Sequence, residues 1–200
     1  MANKIKYGLK NVHYAVATIA ADGTATYATP VPVAGAVNLS LPAQGDNYTF
    51  YADDIDYFTA NGNNGYQGDL EIALDNDDFR QDILNEIVDS KGVLVEDANS
   101  TIVHFALLFQ FTMDQQARKY VLYNCTCGRP DVAGSTKGEN IEAKTVTLPI
   151  TAKTIYNASL QKNIVKSSTK EDTDSTTYAG WYSAVYVPAA ATTATTATTT

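Results

Sequence analysis

The chain has 200 residues, 44% hydrophobic and 18% charged. This composition suits a folded domain rather than a disordered chain, and the length suffices for a core without disulfide or metal staples. Its 14 Lys and Arg against 22 Asp and Glu give a net charge of -8, which argues against tight non-specific binding to nucleic-acid backbones.

Mean hydropathy is -0.19, and no apolar run reaches the roughly 18 to 20 residues of a membrane-spanning helix. Lys4 and Lys6 are not followed by an apolar stretch, so the start does not read as a secretory signal. Synthesis in a cytoplasm is the expectation. The 13 Tyr and 6 Phe, with abundant Thr and Val, favour the half-buried surface of strands.

Val12, Tyr14 and Val16 alternate with His13, Ala15 and Ala17, the period of a strand. Asp22-Gly23 marks a turn, after which Thr24 to Thr29 returns as a hairpin partner. Pro30, Pro32 and Gly35 interrupt the chain before a short strand over Ala36 to Leu41. Two short aromatic strands follow, Tyr48 to Ala52 and Ile55 to Phe58. Asn61 to Gly68 holds three glycines and three asparagines and reads as a flexible polar loop. Asp69 to Leu74 alternates again.

Phe79, Ile83, Leu84, Ile87 and Val88 share one helical face, which predicts an amphipathic helix over about 77–89. Asp75, Asn76, Asp77 and Asp78 offer N-caps, and Gly92 offers the stop. The strongest strand signal is Thr101 to Met113, with Val103, Phe105, Leu107, Phe109, Phe111 and Met113 on one face. His104, Gln110 and Thr112 lie on the other, more mixed face. Arg118 to Cys127 returns as the second arm of a long hairpin, about 101–127. Gly128 to Gly138 reads as a loop and Ile141 to Ile150 as a strand. Lys166 to Thr177 reads as an exposed loop and Ala179 to Val187 as a last strand. The domain therefore spans 1–188. Residues 189–200 are only Ala and Thr, a tail without the large side chains a core needs.

The fold class expected is mainly β, a β-sandwich with one flanking helix. No chemistry emerges beside it. His13 and His104 sit in strand patterns outside any metal-ligand spacing. Cys125 and Cys127 are spaced Cys-x-Cys, a poor match to structural zinc, and read better as buried thiols. Neither a phosphate-cradling loop nor a nucleophile–base motif occurs, so an enzyme, a cofactor and a metal are not expected. The acids are unevenly placed: 12 of the 22 lie between Gln44 and Asp89, where Arg80 is the only base. Such asymmetry suits one face of a subunit meeting the opposite face of a copy, or ordinary solubilising charge.

Several strings resemble the major tail proteins, or tail tube proteins, of phages with long non-contractile tails. They are Lys6 to Ala15, Pro32 to Leu41, Phe50 to Tyr57, Asn61 to Tyr66, Gly68 to Ala73 and Phe79 to Val88. The resemblance covers about residues 4–187. It implies six copies in a ring, whose strands close an inner β-barrel, and rings stacked into a hollow tube. It implies a homohexameric virion protein of the tail, assembled in the bacterial host cytoplasm. Its partners would be itself, the tape measure protein, and the tail tip and tail terminator proteins. DNA would pass only in transit, with no specific binding, and no membrane is involved. Within this frame Tyr48, Phe50, Asp53, Asp54, Tyr57, Phe58 and Tyr66 are candidates for the contact between rings. His104, Gln110 and Thr112 are candidates for the lumen. Two alternatives remain: another assembling β-protein, such as a secretion-tube or decoration subunit, and a carbohydrate-binding β-sandwich suggested by the tyrosines and Trp181.

Overall fold

A computed structural model describes residues 3–134, 136 and 144–190. In chain order the strands begin with β1 (Lys6–Ile19), β2 (Ala25–Tyr27), β3 (Val31–Pro32), β4 (Ala36–Ser40) and β5 (Ala43–Gln44). Then come β6 (Asn47–Ala52), β7 (Ile55–Asn61), β8 (Gly65–Ile72), helix α1 (Asp77–Asp82), β9 (Ile87–Val88) and β10 (Leu94–Val95). The second half holds β11 (His104–Met113), β12 (Arg118–Cys127), β13 (Val146–Lys153), β14 (Ile155–Asn157), β15 (Lys162–Ile164) and β16 (Lys166–Ser168). Helix α2 (Ser175–Ala179) and a 3-10 turn (Gly180–Tyr182) follow.

One ten-stranded antiparallel sheet runs in the order β2-β1-β11-β12-β13-β8-β4, with β3 beside β1, β16 beside β12 and β5 beside β8. β1 and β4, near opposite ends of that order, touch each other, so the sheet curls over itself in a β-sandwich-like arrangement. The mainly β class with a large hairpin and a flanking helix is as the alternation led us to expect.

The period of two decides which side each residue serves. Phe105, Leu107 and Phe109 of β11 join Val12, Tyr14, Leu70, Ile72, Leu148 and Ile150 in the inner core. Their neighbours Ala106 and Leu108 face a second core with Ala15, Val121, Tyr123, Ile155 and Trp181. β12 changes its phase midway. Leu107 pairs with Leu122 but Phe105 pairs with Cys125, so Tyr123 and Asn124 of β12 together oppose Ala106 of β11. This bulge lets Leu122 and then Cys125 both point into the inner core. Both cysteines are free thiols.

Helix α1 is where Phe79 and Ile83 place it, against the inner core, but it ends at Asp82. Asn76 caps it, its side chain accepting from Phe79 N at 2.9 Å. The expected run to residue 89 fails because Asn85 turns left-handed at φ +58° and Ile87–Val88 pairs with Leu94–Val95 as a small hairpin. Gly92 serves that hairpin's turn at φ +80°, not a helix stop. Arg80 fixes the exit, reaching Glu86 at 2.9 Å and Asp75 at 3.3 Å.

Four other expectations need correction. The polar loop expected over Asn61 to Gly68 is confined to 62–64; from Gly65 the chain is strand β8, and Gly65 and Gly68 allow close approach. A Cβ on Gly65 would collide with the Ala152 carbonyl and one on Gly68 with the Ser40 carbonyl. Lys166–Ser168 pairs with β12 and Thr169 behind it is 3% exposed, so the exposed loop expected over Lys166 to Thr177 is confined to 170–174, before α2. Residues 179–187 form no strand. They continue α2 through the 3-10 turn and cover the second core with Trp181, Tyr182 and Val185. The strand expected over 141–150 begins at Val146. Residues 141–143 and the Ala/Thr tail from 191 lie outside the described residues.

Candidate interaction surfaces

β6 and β7 form a hairpin outside the main sheet, paired only with each other among the described residues. The register runs from Asn47 opposite Asn61, through Phe50 opposite Phe58, to Ala52 opposite Ile55. Asp53 and Asp54 make the two-residue turn with φ +52° and +59°. Both central residues are left-handed, the geometry that matches strand twist and suits Asp, Asn and Gly. At the stem Gly62 N donates to Asp46 O at 3.0 Å and Asn64 N to Gln44 O at 2.9 Å.

The hairpin is apolar and open. Tyr48 is 61% exposed, Phe50 48%, Tyr51 65%, Ile55 62%, Tyr57 70% and Phe58 57%. By register Tyr48, Phe50 and Phe58 share one face and Thr49 and Thr59 the other, while Tyr57 is the extra residue of a bulge between the Phe50–Phe58 and Tyr51–Asp56 pairs. An isolated two-stranded hairpin is marginal in water, and contiguous apolar exposure of this kind marks an interaction site. Of the seven residues singled out in the sequence, the structure gathers Tyr48, Phe50, Asp53, Asp54, Tyr57 and Phe58. Tyr66 stands apart, half-buried against the inner core with the Lys166 ammonium 4.5 Å from its ring centroid. Tyr51 and Ile55 belong with the group. Sequence reasoning passed over them although their strings lay in the same aromatic run.

A second exposed patch was hidden by the helix expectation. Ile87 (57% exposed), Val93 (55%) and Val95 (46%) open to solvent on β9, β10 and their turn.

The mixed face of β11 is not open in the subunit. Ala106 and Leu108 are fully buried beneath the C-terminal segment. Trp181 Nε1 donates to Tyr120 O at 3.4 Å, Tyr178 OH to Ala117 O at 2.9 Å, and Lys119 Nζ to Tyr178 O at 2.6 Å. Further along, Tyr123 OH donates to Tyr186 O at 3.0 Å. Each candidate lumen residue is half-buried here. His104 Nδ1 lies 2.7 Å from Asn124 Oδ1, and Gln110 Oε1 accepts from Tyr182 OH at 3.1 Å. Thr112 Oγ1 is buried without a hydrogen-bond partner among the described residues.

A cavity of about 550 Å³ lies between α1 and the loops at 96–103 and 128–133. Within it Arg80 pairs with Asp75 and Glu86, and Arg129 with Glu96, while Asp97 and Asp131 add two further acids to the lining. Burial pushes the Cys127 thiol on its wall up to about 12, so the thiol stays protonated at neutral pH and is a poor nucleophile. Among the described residues no three His, Cys, Asp or Glu side chains converge as metal ligands. Neither a protein-family model, nor a curated protein, nor a solved structure matches the chain.

Proposed function

We propose that this chain is a structural subunit that assembles with copies of itself into stacked hexameric rings. The rings form the hollow tail tube of a long-tailed, non-contractile phage. Such a tube encloses the tape measure protein during assembly and conducts DNA during infection, with tail tip and tail terminator proteins at its ends. One observation carries this reading: a projecting hairpin presents Tyr48, Phe50, Tyr51, Ile55, Tyr57 and Phe58 to solvent. A stable subunit with so much aromatic surface off its core fits a protein that is completed by a neighbour. The resemblance of the sequence strings to tail tube proteins says which kind of assembly. The net charge of -8 agrees with a conduit that does not grip a polyanion.

A channel lined by His104, Gln110 and Thr112 requires the segment 175–188 to leave β11, because the subunit holds that face closed. The carbohydrate-binding alternative loses its indole: Trp181 is 2% exposed and offers no stacking face to a sugar.

Electron microscopy of the purified protein at low and high concentration tests the reading, with tail-tip complex and tape measure protein added where it stays monomeric. Rings or hollow tubes are the expected result. Their absence even with the nucleating components present removes the tail-tube function.

A further inference from the structure

We propose that the β6–β7 hairpin of one copy docks on the N-terminal stretch of the next copy, residues Lys4 to Asn11, which lead into and begin β1. This rests on the assembly reading and names the surface that receives the hairpin. The two surfaces are opposite in charge and alike in apolar exposure. The hairpin with its stem carries Asp46, Asp53, Asp54 and Asp56, with neither Lys nor Arg between residues 45 and 65. The N-terminal stretch carries Lys4, Lys6 and Lys10, all exposed, and the first acid in the chain is Asp22. Between the lysines stand Ile5 at 61% and Tyr7 at 54% exposure. Two carboxylates lie against the start of this stretch and bond its backbone: Asp114 accepts from Lys4 N at 2.8 Å and Glu171 from Asn3 N at 2.7 Å.

Among the described residues, no strand pairs with the outer side of this half-strand. β1 pairs with β11 along one side, while β3 reaches it only at His13–Tyr14 and β2 only at Ala17–Ile19. Beside Lys10, a groove of about 350 Å³ runs between Leu9–His13 and Pro32–Ala36, with space for an aromatic ring. Two bulges, with Gly8 at φ +64° and Asn11 at φ +51°, break the flat edge that strand addition needs. The contact is therefore made by side chains, aromatic rings against Ile5, Tyr7 and the groove, with carboxylates over the lysines. Hairpin and receiver are different patches of the same chain, so the contact is head-to-tail and propagates.

Charge exchange tests this. Asp53 and Asp54 hold the turn, so the hairpin variant is Asp46→Lys with Asp56→Lys, and the receiver variant is Lys4→Glu with Lys10→Glu. Sedimentation velocity of the full chain, at concentrations up to millimolar, reads self-association. Each variant alone should associate about tenfold or more weakly than the wild type, because like charges then face each other. An equimolar mixture of the two, and the chain carrying all four changes, should both recover. The proposal is overturned if the receiver variant associates as the wild type does, as it would if the lysines merely guarded a strand edge. It is overturned equally by a four-fold variant that does not recover, or by a wild type that stays monomeric throughout. Wild-type association with the expected charge rescue, but without rings or tubes in the microscope, keeps the docking and discards the tail-tube reading.

Discussion

Several side chains in this molecule are held in one protonation state by burial. Tyr14 is raised by desolvation and by donating to Asp82 at 2.7 Å, the bond that ties α1 to β1. Tyr27, Tyr123 and Tyr182 are raised chiefly by desolvation. Folded-state values above the ordinary phenol value mean that these groups favour the fold while protonated in both states. That contribution is whole below about pH 10 and is lost as pH rises beyond it, where the unfolded chain ionises first. Thermal midpoints should therefore hold steady from neutral pH to about 9 and fall steeply above 10. Replacing Tyr123 by Phe should flatten that fall, and a melt series across pH 7 to 11 reads it. Lys119 shifts the other way, lowered by burial while its ammonium sits 3.9 Å from the Tyr178 ring centroid. Charged burial of this kind opposes folding, and that cost shrinks as the lysine deprotonates.

At the scale of elements, the C-terminal segment shows best where sequence and structure part. Trp181, Tyr182 and Val185 read as a strand because they are aromatic and β-branched. Their partners, though, are the outward faces of β1, β11 and β12, which no local pattern announces. The long hairpin was legible because its alternation runs unbroken across β11, and α1 because Phe79 and Ile83 stack behind the Asn76 cap. The helix end was not legible, since Ile87 and Val88 keep the helical spacing while serving a two-residue strand. Gly65 and Gly68 misled for a similar reason. The glycine signal is the same for a loose loop and for backbones in close approach. For the interaction surface, the aromatic run of the hairpin could be read directly, whereas the exposure of each ring needed the fold. Removing the segment, by a stop after residue 174, should uncover Leu108, Val121 and Tyr123. The expected outcome is a lower melting temperature and dye binding to exposed apolar surface. Trp181→Ala should cost about 3 to 5 kcal/mol, measured by chemical denaturation.

Across the whole molecule, β11 is a wall shared by two cores. Leu107 faces one and Leu108 the other, and both are fully buried. A domain built this way has no seam along which it could unfold in halves. Leu107→Ala and Leu108→Ala should each destabilise by about 2 to 5 kcal/mol. Each should shift one shared transition, with fluorescence and circular dichroism remaining coincident. Two separate transitions in either variant would show the cores to be independent.

The stem of the β6–β7 hairpin has a consequence for how such chains diverge. Main-chain bonds at Gly62–Asp46 and Asn64–Gln44 attach it, so the packing rules of the sheet do not reach its strands. Related chains could keep the same sheet and rewrite only the hairpin and the patch that receives it. Under the docking proposed above, two such chains made in one cell would then sort into separate structures, each admitting only its own kind.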